Sequence, residues 1–200
     1  MAMVRLKRPA TVAADAAEAR ESLPLSVTRP EVLLDGTDRE FRRLIHRMLI
    51  GQARLDAIRE GIAGRVGVSG TQYHMLMSVL HLQGTSGVSI GALAEYLEVT
   101  GPHVTGIIGK LVAGGFVRKA QNPNDGRGVL VKLTPAGRKK LLQAFEFIAA
   151  VNDRLFDGVG REEYRAVANF QARFMRNSQA TLDWIARQPG SPDRSHEDEF

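Results

Sequence analysis

Apolar residues recur at three- and four-residue intervals along most of the chain and alternate in only one place. Phe41, Leu44, Ile45, Met48, Leu49, Gln52 and Leu55 keep helical spacing behind Thr37-Asp38-Arg39-Glu40, which reads as a capping box, so a helix is expected over 37–60. The glycine-punctuated stretch GIAGRVGVSG, 61–70, reads as a flexible connection; it has neither the preceding strand nor the Gly-Lys-Ser/Thr that a phosphate-cradling loop needs. A second helix is expected over 71–83. Ser89 then caps a short helix in which Ile90, Leu93, Ala94 and Leu97 form one stripe. About three residues later another helix starts near Gly101-Pro102. Val104, Ile107, Ile108, Leu111 and Val112 form its buried stripe, and Gly114 or Gly115 stops it.

The pattern then changes period. Phe116 to Gln121 and Gly128 to Leu133 read as strands, with Val129, Val131 and Leu133 on one face of the second. The intervening Asn-Pro-Asn-Asp-Gly-Arg is made of turn formers. Thr134-Pro135 opens a helix running to Phe156, and a last helix spans roughly 160–187 with Tyr164, Val167, Phe174, Leu182 and Ile185 among its apolar positions. The order helix, helix, short turn, helix, two-stranded ribbon predicts a mainly α fold with a small β-wing, a winged helix-turn-helix. The expected organisation is a mobile arm over 1–35 (with a short helix near 12–22), a helical dimerisation region made of 36–62 and 140–187, the winged lobe at 70–139, and a disordered tail over 188–200. The outer helices carry broad apolar surfaces with little else to cover them, and symmetric self-association is the simplest cover.

Charge sharpens this picture. The chain's net charge is +5 and all of the excess lies in 71–140, where eight Lys/Arg face three acids; the remainder holds 19 of each sign. Such a segment suits phosphate contact, although a basic surface also serves solubility. On the second helix of the pair, the side opposite Val104, Ile108 and Leu111 centres on Pro102, Gly106, Gly109 and Ala113, flanked by His103, Thr105 and Lys110. Small residues there would let the helix sit deep in a major groove. His103 and Thr105 can bond base edges or phosphates, and Lys110 a phosphate. Arg118, Lys119, Arg127 and Lys132 would add attraction from the ribbon, Arg127 as a cation at the wing tip suited to a narrow minor groove, with Gly126 permitting the turn and Asp125 orienting the loop.

Composition excludes more than it assigns. Apolar residues make up 44% and charged residues 24% of 200 residues, enough for a core in one domain or two small ones. With no cysteine, disulfides and zinc-thiolate sites are out. The chain has no apolar run long enough to span a bilayer and no secretory signal pattern, so a cytoplasmic protein without a membrane partner is expected. There is no Gly-x-Ser-x-Gly elbow, no HExxH and no paired carboxylates in a glycine-rich setting, so no enzyme and no cofactor is expected. His46, His74 and His81 raise a metal-sensing alternative, but HxxxH and HxH spacings and an acidic cluster are missing, and no metal ligand is assigned. A winged-helix adaptor that contacts only protein is a further alternative, distinguishable by the lack of steep salt dependence toward DNA.

Three segments together, TQYHMLMSVL, SIGALAEYLEVTGPHVTGIIGKLVAGGFVRK and NPNDGRGVLVKLTPAG, resemble the multiple-antibiotic-resistance regulator (MarR) family, strongly over 71–140 and more loosely over the flanking helices. The resemblance implies a homodimer with intertwined terminal helices, bound to a pseudo-palindromic operator in double-stranded DNA. It also implies a small effector, frequently an aromatic acid, held between the dimer helices and the lobe. Arg39, Arg43, His46 and Arg54 fall on one side of the first helix with Arg47 beside them. They read either as a solvated face or, with Tyr73, as the lining for an anionic effector such as an aromatic carboxylate or an acyl-coenzyme A thioester. Two departures stand out: Gly101-Pro102 replaces the small polar residues frequent at the start of the family's recognition helix, and the N-terminal extension is long.

Overall fold

The computed structural model describes residues 24–122 and 125–189, the side chains of 125–127 excepted. The expected helix at 12–22, the first part of the arm and nearly all of the C-terminal tail lie outside the described residues. The chain divides into two compact units, 1–144 and 145–200, with the boundary inside one helix.

The first long helix, α1, runs from Arg39 to Val66. The glycine-rich stretch is therefore not the expected connection. Gly61 and Gly64 lie within the helix, because Ile62, Ala63 and Val66 between them are buried. Burying those side chains outweighs the roughly 1 kcal/mol that each helical glycine costs. Gly67, in the left-handed region at φ 84°, ends α1, and its N–H donates to the Ala63 carbonyl. The expected Thr37–Glu40 capping box is also absent. Asp38 holds the cap position, but its carboxylate takes no helix N–H and accepts instead from the Ser26 N–H (2.7 Å), the Ser26 hydroxyl (2.5 Å) and Arg42 Nε (2.8 Å). Thr37 spends its hydroxyl on the Leu34 carbonyl.

Helix α2, Gly70–Leu82, starts one residue before the expected Thr71, at a capping box: Ser69 Oγ accepts from the Gln72 N–H and Gln72 Oε1 from the Ser69 N–H. Glu60 of α1 accepts from the Gly70 N–H at 2.9 Å, fastening the start of α2 to α1. Helix α3, Ile90–Leu97, is capped by Ser89 as expected, and α4, Gly101–Ala113, by Thr100, whose hydroxyl accepts from the His103 N–H. Val104, Ile107, Ile108 and Leu111 of α4 join Met75, Leu76, Val79 and Leu93 in the core. Val112 does not; it is 38% exposed, turned past the edge of the stripe.

The ribbon is a three-stranded antiparallel sheet in the order β1-β3-β2, with β1 Val88–Ser89, β2 Val117–Asn122 and β3 Asp125–Leu133. β1 was not expected, since two residues carry no readable period. The β2–β3 ladder also runs further than turn composition suggests. Asn122 pairs with Asp125 beyond a register irregularity at Gln121/Asn122, so Gly126 and Arg127 lie on β3 and the connection is only 123–124. Helix α5, Pro135–Leu155, follows β3 directly. Thr134 accepts from the Gly137 N–H at 2.9 Å and donates to the Gly115 carbonyl at 2.7 Å, which welds the helix start to the end of α4. Gly137 packs against the Phe116 carbonyl so closely that a Cβ there would collide with it.

In the second unit, Gly158 (φ 77°) breaks the chain after α5, and α6 spans Arg161–Ala186. Phe156 meets Tyr164 edge-on at 6.2 Å, and Phe170 tilts against Phe174 at 5.7 Å. No residue of α6 is buried, although Tyr164, Val167, Phe170, Met175, Leu182, Trp184 and Ile185 repeat along it.

Candidate nucleic-acid interface

Two capped helices and a hairpin frame one surface of the first unit. The core stripe of α4 fixes its rotation, and that leaves Pro102, His103, Thr105, Gly106, Gly109, Lys110 and Ala113 exposed on the other side. A Cβ added at Gly101, Gly106 or Gly109 would meet nothing within 4 Å, so this side of the helix is bare backbone facing open space. A partner could approach it more closely than any ordinary helix face allows. The Thr105 hydroxyl donates to the Gly101 carbonyl at 2.9 Å. Its proton is thereby committed, and what Thr105 offers outward is a methyl group and acceptor lone pairs rather than a donor.

The ribbon cations separate by strand parity. Arg118 and Lys119 are both exposed but project to opposite faces of β2. Lys132 stands opposite Arg118 in the ladder, with its ammonium donating to the Thr85 carbonyl. Arg127 lies on β3, and its side chain, the expected wing-tip cation, is outside the described residues.

His103 also lines an open cleft of about 70 Å³ with Thr71, His74, Met75, Leu97, Val99 and Ile107. Thr71 and His74 are exposed polar residues on a helix, which show no period of their own, so the sequence gives no sign that they share this cleft with His103. Partial burial of the ring and the nearby Arg59 guanidinium hold the His74 imidazole below its ordinary range.

The residues proposed for an effector are not brought together within one chain. Arg39, Arg43, His46 and Arg47 are exposed on the first half of α1, and Arg43 is paired with Glu40 at 2.8 Å. Tyr73 is buried in the first turn of α2, beside the far end of α1; about 20 Å of helix separates Arg47 from Glu60, which anchors that turn. Burial pushes the Tyr73 phenol up. Among the described residues, no group of three or more His, Asp or Glu is placed to hold a metal ion, and no helix is long and apolar enough to cross a membrane.

Comparison with known proteins agrees with this architecture. Residues 66–128 match the model of the MarR family. The multiple antibiotic resistance protein MarR of Salmonella typhimurium is 30% identical over 103 residues, 48% of this chain, and the match spans 62% of that protein's length. The transcriptional activatory protein BadR of Rhodopseudomonas palustris is 33% identical over 72 residues, covering 36% of this chain and 41% of BadR. Among solved structures, a mutant MarR from Escherichia coli complexed with operator DNA superposes with a TM-score of 0.57 at 24% identity, over 68% of this chain and 93% of that one. The helix pair, the bare α4 face and the first part of the wing lie within the 66–128 segment that matches the MarR-family model, and the fold is that of the MarR winged helix-turn-helix structures.

Proposed function

We propose that the chain is a sequence-specific DNA-binding transcriptional regulator that works as a homodimer on a pseudo-palindromic operator. The observation that carries this reading is the α4 surface, where bare backbone at Gly106 and Gly109 is bordered by His103, Thr105 and Lys110 and no acid stands on the helix. In the major groove, Thr105 would present its methyl to thymine or its oxygen to a base amine, with His103 and Lys110 on flanking groups. Arg118, Lys119, Lys132 and Arg127 would meet phosphates and the adjacent minor groove. The two α4 helices of a dimer would lie about 34 Å apart, one turn of the duplex. Apolar residues left exposed on the first half of α1 (Leu44, Ile45, Leu49, Ile50) and along α6 support 36–62 and 140–187 as the dimerisation region.

Binding of duplex DNA from upstream of its own coding sequence, followed by fluorescence anisotropy, tests the reading. With six to ten phosphate contacts, affinity is expected to fall roughly 10³–10⁵-fold between 50 and 200 mM salt. Binding indifferent to salt would favour a protein-only adaptor instead.

The regulatory mode we propose is repression by occlusion, released by a small anionic effector held on the arginine row of α1. Since Arg43 is engaged by Glu40, Arg39 and Arg47 are the better donors. Coupling of about 1–3 kcal/mol would weaken operator binding five- to 150-fold. The name of the Rhodopseudomonas relative supports activation as a second reading, decided by whether the operator overlaps or precedes the promoter.

A further inference from the structure

We infer that Gln83 is the residue that positions the wing, and that α2 is a strut tying the wing root to α1; the inference rests on the DNA-binding reading above. Gln83 directly follows α2 and is one of the few buried polar side chains, 8% exposed. Its Oε1 accepts from the Leu133 N–H at 2.9 Å, across a separation of 50 residues. That N–H needs a surrogate partner. β1 pairs with β3 only at Val88↔Val131 and Ser89↔Leu130, and the chain has already bent away at Gly87, φ 112°, before it could reach Leu133. The side-chain carbonyl of Gln83 supplies the acceptor that a longer β1 would have offered.

The clasp is reinforced around Gln83. Its own N–H donates to the Val79 carbonyl, its carbonyl accepts from the Gly87 N–H at 2.7 Å, and the Lys132 ammonium reaches the Thr85 carbonyl in the same loop. At its other end α2 is fastened to α1 by Glu60 on the Gly70 N–H. Leverage makes the clasp matter: β3 runs from Leu133 to Asp125, about 25 Å of strand, so a tilt of about 10° at the root carries the tip about 4 Å, beyond any hydrogen-bond tolerance.

Gln83→Met keeps length and apolar bulk but removes the acceptor; Gln83→Glu keeps an acceptor. Both are to be measured for hydrogen exchange at the Leu133 amide and for affinity toward the upstream duplex, in double-mutant cycles with Arg118→Ala on the wing and His103→Ala on α4. The expected result is a folded Gln83→Met whose Leu133 amide exchanges faster and whose affinity falls tenfold or more. Its loss should be non-additive with Arg118→Ala, additive with His103→Ala, and partly rescued in Gln83→Glu. Should Gln83→Met fail to fold, Gln83→Asn withdraws the carbonyl more gently and enters the same cycles. Affinity within twofold of wild type, or the same additivity with both partners, overturns the inference and leaves Gln83 a packing residue. A wild-type chain that binds no DNA at all overturns the functional reading and takes this one with it.

Discussion

The winged lobe and the second unit use apolar residues in opposite ways. In the lobe, the stripes of α2, α3 and α4 close on one another, and Met75, Leu76, Val79, Leu93, Val104, Ile108 and Leu111 are all but sealed from solvent. In α6 a stripe of comparable strength, including Phe170, Leu182 and Trp184, stays open to solvent along its whole length. The first pattern describes a body that is complete in one chain. The second leaves a large apolar face open, the kind of surface that marks an interaction site. The difference teaches that the same helical periodicity encodes either a core or an interface, and only the count of available neighbours tells them apart.

The comparison breaks most visibly in the core. Leu76→Ala or Ile108→Ala is expected to cost the lobe about 2–5 kcal/mol, read by urea titration. Val167→Ala on α6 should leave the lobe's transition where it is, because nothing in one chain buries that side chain. An equal loss from the α6 variant would show that α6 belongs to the monomer's core after all.

The next effect is on assembly. If α6 is half of a dimer, Phe170→Asp should yield a monomer in sedimentation and abolish the concentration dependence of the melting temperature. At a protein concentration about 100 times the dimer Kd, the linkage lost is about 2.7 kcal/mol. DNA affinity should fall with it, since one lobe then binds without its twin. A Phe170→Asp chain that still sediments as a dimer moves the interface elsewhere, with α1 as the alternative.

A smaller effect sharpens the comparison inside the lobe itself. Gly106 and Gly109 are helical, with open space where a Cβ would be, so Gly106→Ala and Gly109→Ala should each stabilise the lobe by roughly 0.5–1 kcal/mol. Both should nonetheless weaken DNA binding, because the added methyl groups hold α4 off the groove floor. Higher stability with unchanged affinity would mean that the bare face does not touch DNA.

Much of the lobe was legible because its signals are local. Ser89 announces the start of α3 and Gly101-Pro102 that of α4, and the core stripe of α4 dictates which side its small residues face. What sequence could not show depended on distant partners. α1 continues through Gly61 and Gly64 because the lobe buries Ile62, Ala63 and Val66. β1 is too short to carry a pattern and exists through pairing with Val131 and Leu130. Gln83 reads as an ordinary helix end until Leu133 arrives beside it. The effector candidates show the same limit: a shared face on one helix says nothing of whether Tyr73, on another, lies near it.

The smallest expected effect concerns where the lobe's unit begins. Asp38 is 6% exposed and takes three hydrogen bonds on one oxygen, chiefly from the Ser26 hydroxyl and N–H and then from Arg42, which lower its pKa from 3.8 to about 2. Arg42 also donates to the Pro24 carbonyl, so one carboxylate holds residues 24–26 against the start of α1. A depressed folded-state pKa means stability that is fully present above the unfolded value near 3.8 and is lost as pH falls through about 2. The contact should therefore persist through the acid range in which free carboxylates already protonate. Asp38→Asn retains the shape but not the charge, and the single neutral carbonyl oxygen it keeps is a weaker acceptor for the bonds from Ser26 and Arg42. Amide exchange at Ser26 is expected to quicken in the variant at neutral pH and, in wild type, only as the pH approaches 2. The α2–α4 amides should be unmoved in both. Equal exchange at Ser26 in the two proteins would show that residues 24–26 are held by something other than this carboxylate.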